Sequence, residues 1–180
     1  MADVDGVAIK TNSGPASNIT VRNNKFYGTH GMSIGSQTMY GVTNVLWDDN
    51  RMFGTDQFGN VSTDNNGINI KSDYDCGGLI QQVTCRHTTL TGVKHLLVFN
   101  TSYGSCSGTP GVLYYQDIVV DGVRAVDSNP APTLNLRATA RAIRWVFTSP
   151  MSIWARPRRR TARMRSSGST IRISRPPDPE

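Results

Sequence analysis

The sequence predicts an all-β chain wound into a right-handed parallel β-helix, and three observations carry that prediction. The first is a pattern shared by Asp5-Gly6-Val7-Ala8-Ile9-Lys10, His30-Gly31-Met32-Ser33-Ile34-Gly35, Asn66-Gly67-Ile68-Asn69-Ile70-Lys71 and His95-Leu96-Leu97-Val98-Phe99. In the first three a polar residue precedes Gly. In all four, two apolar residues flank one variable position, as in a short strand with one buried face. The second observation is another set in the same phase: Asn18-Ile19-Thr20-Val21, Asn44-Val45-Leu46-Trp47, Gln82-Val83-Thr84-Cys85 and Asp117-Ile118-Val119-Val120. The third is spacing: successive members of that set lie 26, 38 and 35 residues apart. Repeats of this period mark solenoids or propellers. Short strands, with no amphipathic helical pattern before residue 136, select the β-helix, in which about four coils stack because none buries its apolar side alone.

The elements follow in order. Val7 and Ile9, Met32 and Ile34, Ile68 and Ile70, and Leu96 and Val98 are expected to fill the interior. Ala8, Ser33, Asn69 and Leu97 then point outward in one column. Gly54 to Asp64 and Tyr103 to Gly111 read as loop insertions, punctuated by Gly, Ser, Thr, Asn and Pro. Asp48 and Asp49 are adjacent, so a strand would turn them to opposite faces, and a turn role is expected. Cys85 reads as a small core residue. Cys76 and Cys106 lie in loop-like sequence and are compatible with one disulfide in an exported protein. No metal is expected, because the three cysteines lack a CxxC spacing.

Composition divides the chain. Residues 1–136 carry eight Lys or Arg against eleven Asp, a net charge of −3, and are assigned to the β-helix. Residues 137–180 carry eleven Arg and two acidic residues, a net of +9. Such a tail has the charge of a nucleic-acid patch. The reading preferred here is a disordered or out-of-frame segment, since Arg, Pro, Ser and Ala without Lys is typical of misread GC-rich coding DNA. With suitable third bases, Ile143 to Ala155 read at an offset gives HPLGLHLANVNLG, a strand pattern like the earlier repeats. The start at Met1 leaves no room for a capping helix or earlier coil, so an N-terminal truncation is expected. No signal peptide pattern and no run long enough to span a membrane is present.

The series from Asp5 through His30-Gly31-Met32-Ser33-Ile34-Gly35-Ser36 and Gly67-Ile68-Asn69-Ile70-Lys71 to Tyr103 resembles glycoside hydrolase family 28, the polygalacturonases and related pectin hydrolases, over roughly residues 3–127. The resemblance implies inverting hydrolysis of α-1,4-galacturonide bonds, in which one carboxylic acid protonates the leaving oxygen and a carboxylate activates water. It implies Asp5 as the water-activating base and His30 as the catalytic histidine. Lys71, Asn69 and Tyr103 fall at the family's substrate-binding positions. Val4 stands where the proton donor belongs, Asp3 would point elsewhere, and the coil bearing the family's Asn-Thr-Asp motif is missing. Asn69 replaces an Arg, exchanging a bidentate cation for a neutral amide. The expectation is therefore an impaired pectin-acting glycosidase fragment with no cofactor. It would bind polysaccharide as a monomer, without nucleic acid or membrane, and be secreted or periplasmic by family. The alternatives are a carbohydrate-binding β-helix without turnover and, behind it, a calcium-dependent pectate lyase. Outside the resemblance, Lys10 matches Lys71 in position, Asn66 and Asn69 would suit an asparagine ladder, and Asp73 and Asp75 fall at the cleft rim.

Overall fold

The computed structural model describes residues 5–74, 77–101, 103–104 and 114–128, together with the backbone of three short strands beyond them. Three strands form each coil. The first coil holds β1 (Val7–Ile9), β2 (Ala16–Arg22) and β3 (Lys25–Tyr27); the second holds β4 (Met32–Ile34), β5 (Val42–Asp48) and β6 (Arg51–Phe53). The third holds β7 (Asn66–Lys71), β8 (Leu79–Arg86) and β9 (Thr89–Thr91), and the fourth β10 (His95–Asn100), β11 (Tyr114–Asp121) and β12 (Arg124–Val126). A fifth set, β13 (Thr133–Asn135), β14 (Trp145–Phe147) and β15 (Ser152–Trp154), continues the stack by one more coil than expected.

Like strands pair in parallel from coil to coil. They build three five-stranded sheets, β1-β4-β7-β10-β13, β2-β5-β8-β11-β14 and β3-β6-β9-β12-β15. The result is a parallel β-helix. Among the described residues there is no helix, and none long and apolar enough to cross a membrane.

The register confirms the repeat. Ile19 pairs with Val45, Val45 with Val83 and Val83 with Ile118, the alignment read from the spacing. Met32, Ile34, Ile68 and Ile70 are buried inside, with Trp47, Val83, Cys85 and Ile118 from the second sheet and Met52, Leu90 and Ala125 from the third. The fourth coil needs a correction. Leu97 pairs with Ile68 and Phe99 with Ile70, so both join the interior, where Leu96 is buried as expected, and Val98 occupies the outward column beside Asn69. Leu96, Leu97 and Val98 are all apolar, so pattern alone leaves the strand free to slip by one residue; pairing with β7 fixes it.

The corners repeat as faithfully as the strands. Asn18, Asn44, Gln82 and Asp117 all adopt positive φ within the second-sheet strands, and Asn23, Asp49, His87 and Gly122 do so at the next corner. Both columns keep the 26, 38 and 35 spacing. Short polar side chains tolerate this left-handed conformation best. From the second sheet to the third the count is constant over the first four coils: Ile19 to Phe26, Val45 to Met52, Val83 to Leu90 and Ile118 to Ala125 each span seven residues, whereas Trp145 to Ile153 in the fifth spans eight. Insertions fall on the other side of the coil. The 54–64 loop is one, closed by a Thr55–Val61 bridge and by Asp56 accepting from the backbone of Phe58 and Asn60.

Asparagine stacking occurs at Asn24 and Asn50, where both the backbone and side-chain nitrogens of Asn24 donate to Asn50 Oδ1, and at Asn18 and Asn44. Among the described residues, no such bond joins Asn66 or Asn69 to a neighbouring asparagine. Arg22, Asp48, Arg86 and Asp121 stack in register at the end of the second sheet. The Asp48 carboxylate is 4% exposed and lies 3.1 Å from Arg86, 3.5 Å from Arg22 and 3.0 Å from His87 Nδ1. Asp49, the positive-φ corner residue that follows β5, turns out to solvent, whereas Asp48 at the strand's end is an ion-pair centre. Cys85 is a buried free thiol; Cys76 and Cys106 lie outside the described residues.

Candidate functional site

The first sheet lays three columns of side chains side by side. Ala8, Ser33, Asn69 and Val98 form the outward one. Before it, the Gly6 N–H donates to Gly31 O at 2.9 Å, which sets Asp5 beside His30, and Asn66 pairs with His95 two coils on. After it, Lys10, Gly35, Lys71 and Asn100 share a position; Lys10 is exposed, whereas Lys71 is buried. The glycines of the repeated polar-Gly step keep the backbones close. A Cβ on Gly31 would lie 2.3 Å from Gly67 O, and one on Gly67 would lie 2.4 Å from Leu96 O, so no larger residue fits either place.

The polar side chains converge on Asp5. Ser33 Oγ donates to Asp5 Oδ1 at 2.7 Å, and Lys71 Nζ sits 3.7 Å from the same oxygen. The Lys71 ammonium also lies 4.6 Å from the Tyr103 ring centroid, within cation–π range. A charge as enclosed as this one, 7% exposed, is stable only when paired. The carboxylate and the ring supply that pairing from two sides. Tyr103 is held in turn by its own N–H, which donates to Ser72 O at 3.0 Å, while Tyr74 N–H donates to Gly104 O at 3.0 Å. Ser72 is buried and shares a 2.8 Å hydrogen bond with Thr38. Three of the five residues expected from the sequence, Asp5, Lys71 and Tyr103, are thus in direct contact or joined through one another.

Asn69 and His30 sit beside that group. A cleft of about 170 Å³ opens next to Lys71, lined by Asp64, Asn66, Asn69, Lys71, His95, Val98, Asn100 and Tyr103. Asn69 is 3% exposed, and its Oδ1 has no hydrogen-bond partner among the described residues. Asp64, at the rim, accepts from Asn66 Nδ2 at 3.3 Å. His30 is half-buried in the second coil, in register with Asp5. Val4 and Asp75 lie outside the described residues, and Asp73 is buried. Sequence reasoning missed Ser33 as the Asp5 partner, and missed Asp64, His95 and Asn100 on the cleft wall. The register holds the signal for two of these: Ser33 stands between Ala8 and Asn69, and Asn100 beside Lys71.

The first sheet of this parallel β-helix thus gathers a carboxylate, a lysine and an exposed tyrosine beside a cleft. Residues 2–149 match the sequence pattern of Glycosyl hydrolases family 28, and the chain belongs to that family. It is 41% identical over 105 residues to a polygalacturonase of Ralstonia solanacearum, a match covering 58% of this chain and 19% of that protein. An endo-polygalacturonase of Pectobacterium parmentieri is 39% identical over 107 residues, covering 58% and 24%. Endopolygalacturonase I of Aspergillus aculeatus is 34% identical over 101 residues, covering 53% and 24%. The chain therefore spans about a fifth to a quarter of the curated relatives it matches.

Proposed function

We propose that the chain is part of a polygalacturonase-type glycosidase that hydrolyses α-1,4-galacturonide bonds of pectin with inversion, outside the cell or in the periplasm. The observation that carries this reading is the convergence of Lys71 and Ser33 on one oxygen of Asp5, with Tyr103 against the lysine. Two donors on Oδ1 orient the carboxylate, and its other oxygen then takes the proton of the attacking water. His30, on the adjacent coil, flanks that water. Lys71, Asn69 and Tyr103 hold the sugar, the tyrosine offering its ring face and the others polar contacts.

Inversion also needs an acid on the opposite side of the bond. Val4 stands at that position along the chain, so turnover is impaired by about 100- to 10,000-fold, the worth of general acid catalysis. The same observation favours a second reading, carbohydrate binding without turnover. Residues 137–180 are proposed to be an out-of-frame segment, a proposal that has to meet the family match as far as residue 149 and the pairing of β14 and β15 within it; the coding DNA beyond the codon for residue 136 checks it directly.

The test is titration of the full chain with oligosaccharides from partly esterified pectin, with reducing ends counted in parallel. Binding with slow turnover that Asp5→Asn abolishes supports the hydrolase. Binding that Lys71→Met weakens about tenfold, with no turnover at all, supports the binding reading. Absence of binding to any pectic oligosaccharide refutes both.

A further inference from the structure

The cleft beside Lys71 is poor in positive charge, and that bears on what it takes. Its lining holds one lysine, one histidine (His95) and one carboxylate, and the lysine is already matched by Asp5 at 3.7 Å. Among the described residues, the Asp64 carboxylate at the rim is met by the Asn66 amide alone. Asn69, at the centre of the wall, is a buried neutral amide with an unpartnered oxygen. Val98 adds an apolar surface directly beside it in register. The surrounding body repeats the imbalance, since residues 1–136 carry a net charge of −3. A free uronate unit would bring a carboxylate into a site whose one lysine is already paired, leaving only the His95 imidazole to meet it among the described lining residues, and would lose its hydration on entry. A uronate whose carboxyl is esterified brings no charge, presents a methyl group to Val98, and keeps hydroxyls for Asn66, Asn69 and Asn100.

Resting on the glycosidase reading above, we propose that this cleft takes an uncharged glycosyl unit, of which a methyl-esterified uronate is the type, and that Asn69 and Asp64 set the preference. Asn69 supplies hydrogen bonding without charge, while Asp64 repels an incoming carboxylate. The unit next to Asp5 is unaffected by this selection, so the preferred ligand is a partly or wholly esterified chain.

The experiment is calorimetric titration of the full chain with two galacturonate oligosaccharides of equal length, one fully methyl-esterified and one in the free-acid form, at low and high salt. The ester is expected to bind about fivefold tighter at low salt, the size of one partly screened charge interaction. High salt should narrow that gap by strengthening free-acid binding alone. Asn69→Arg, which places a guanidinium at the wall, should improve free-acid affinity tenfold or more, the range of a hydrogen bond to a charged group. Asp64→Asn tests the same idea at a less buried position, where folding is not at issue, and should raise free-acid affinity severalfold. Equal or tighter binding of the free acid by the unaltered chain overturns this inference and leaves the glycosidase reading intact. No change in the ester-to-acid ratio in Asp64→Asn overturns the role given to that carboxylate. Failure of both oligosaccharides to bind overturns the inference together with the reading beneath it.

Discussion

Tyr115→Phe should make the protein more stable. Tyr115 lies in β11, paired with Ile80, and is 0% exposed. Its hydroxyl has no hydrogen-bond partner among the described residues, and burial drives the phenol far above its usual pKa range. Leaving a buried hydroxyl unsatisfied costs about 1–3 kcal/mol relative to solvating it. Phenylalanine keeps the ring and its packing and removes only the oxygen, so the loss of contacts is small. A gain of about 1 kcal/mol is therefore expected, at the lower end of that range. In a chain of 180 residues this raises the melting temperature by about 2–4 °C. With a urea slope of about 2 kcal/mol per molar, the unfolding midpoint should rise by about 0.5 M with the slope unchanged. Circular dichroism during urea titration reads both quantities. A midpoint that falls by as much would refute the reasoning, because it would mean that the hydroxyl has a partner worth more than its burial costs. Trp47→Phe supplies the contrast. It also removes an unpartnered buried donor, but it empties part of the core and should lower the midpoint, as large-to-small core changes do.

Two other expectations concern ionisable groups. Hydrogen bonds from Arg86, and then His87, hold the Asp48 carboxyl down at about 2. Because its folded value lies below the unfolded one near 4, its stabilising effect is complete above about pH 4 and is lost as pH falls toward 2. Asp48→Asn should therefore lower the urea midpoint at neutral pH, and its difference from the parent should close between pH 4 and pH 2; a gap that persists at pH 2 would show that charge is not the cause. Burial alone raises the Cys85 thiol well above its normal range. In the native protein the Cys85 peptide should thus stay unmodified by a thiol reagent at pH 8 and become labelled in denaturant, as peptide mass mapping would reveal.

The coils were legible because the sequence repeats at three levels at once. Strand pattern, corner residues and spacing all place Ile19, Val45, Val83 and Ile118 in one row, so a single misread residue could not shift the rest. The fourth coil lacked that redundancy. A run of apolar residues at Leu96 to Phe99 offers two registers of nearly equal appeal, and only hydrogen bonding to β7 separates them. At the site, family motifs pointed to Asp5, Lys71 and Tyr103, which do come together. Ser33 was visible only as a column position, since its role depends on the distance to an aspartate 28 residues away. Asp48 was undervalued for a similar reason. Its partners Arg22 and Arg86 are 26 and 38 residues distant, and a pairwise reading of the neighbouring Asp49 drew attention elsewhere.

Over the first four coils the seven-residue corner between the second and third sheets divides the molecule into a timekeeping side and a variable one. Each of those coils returns from that corner in the same phase, whatever was added before it. Residues gained in the 54–64 loop, or between β10 and β11, lengthen the circuit without disturbing the stacking of Trp47 on Cys85 or of Met52 on Leu90. Such additions also fall beside the first sheet, where the cleft lies. Loops that border the cleft can be lengthened, shortened or exchanged while the back of the helix keeps count, so a lineage or an engineer can reshape its mouth without having to solve the fold again.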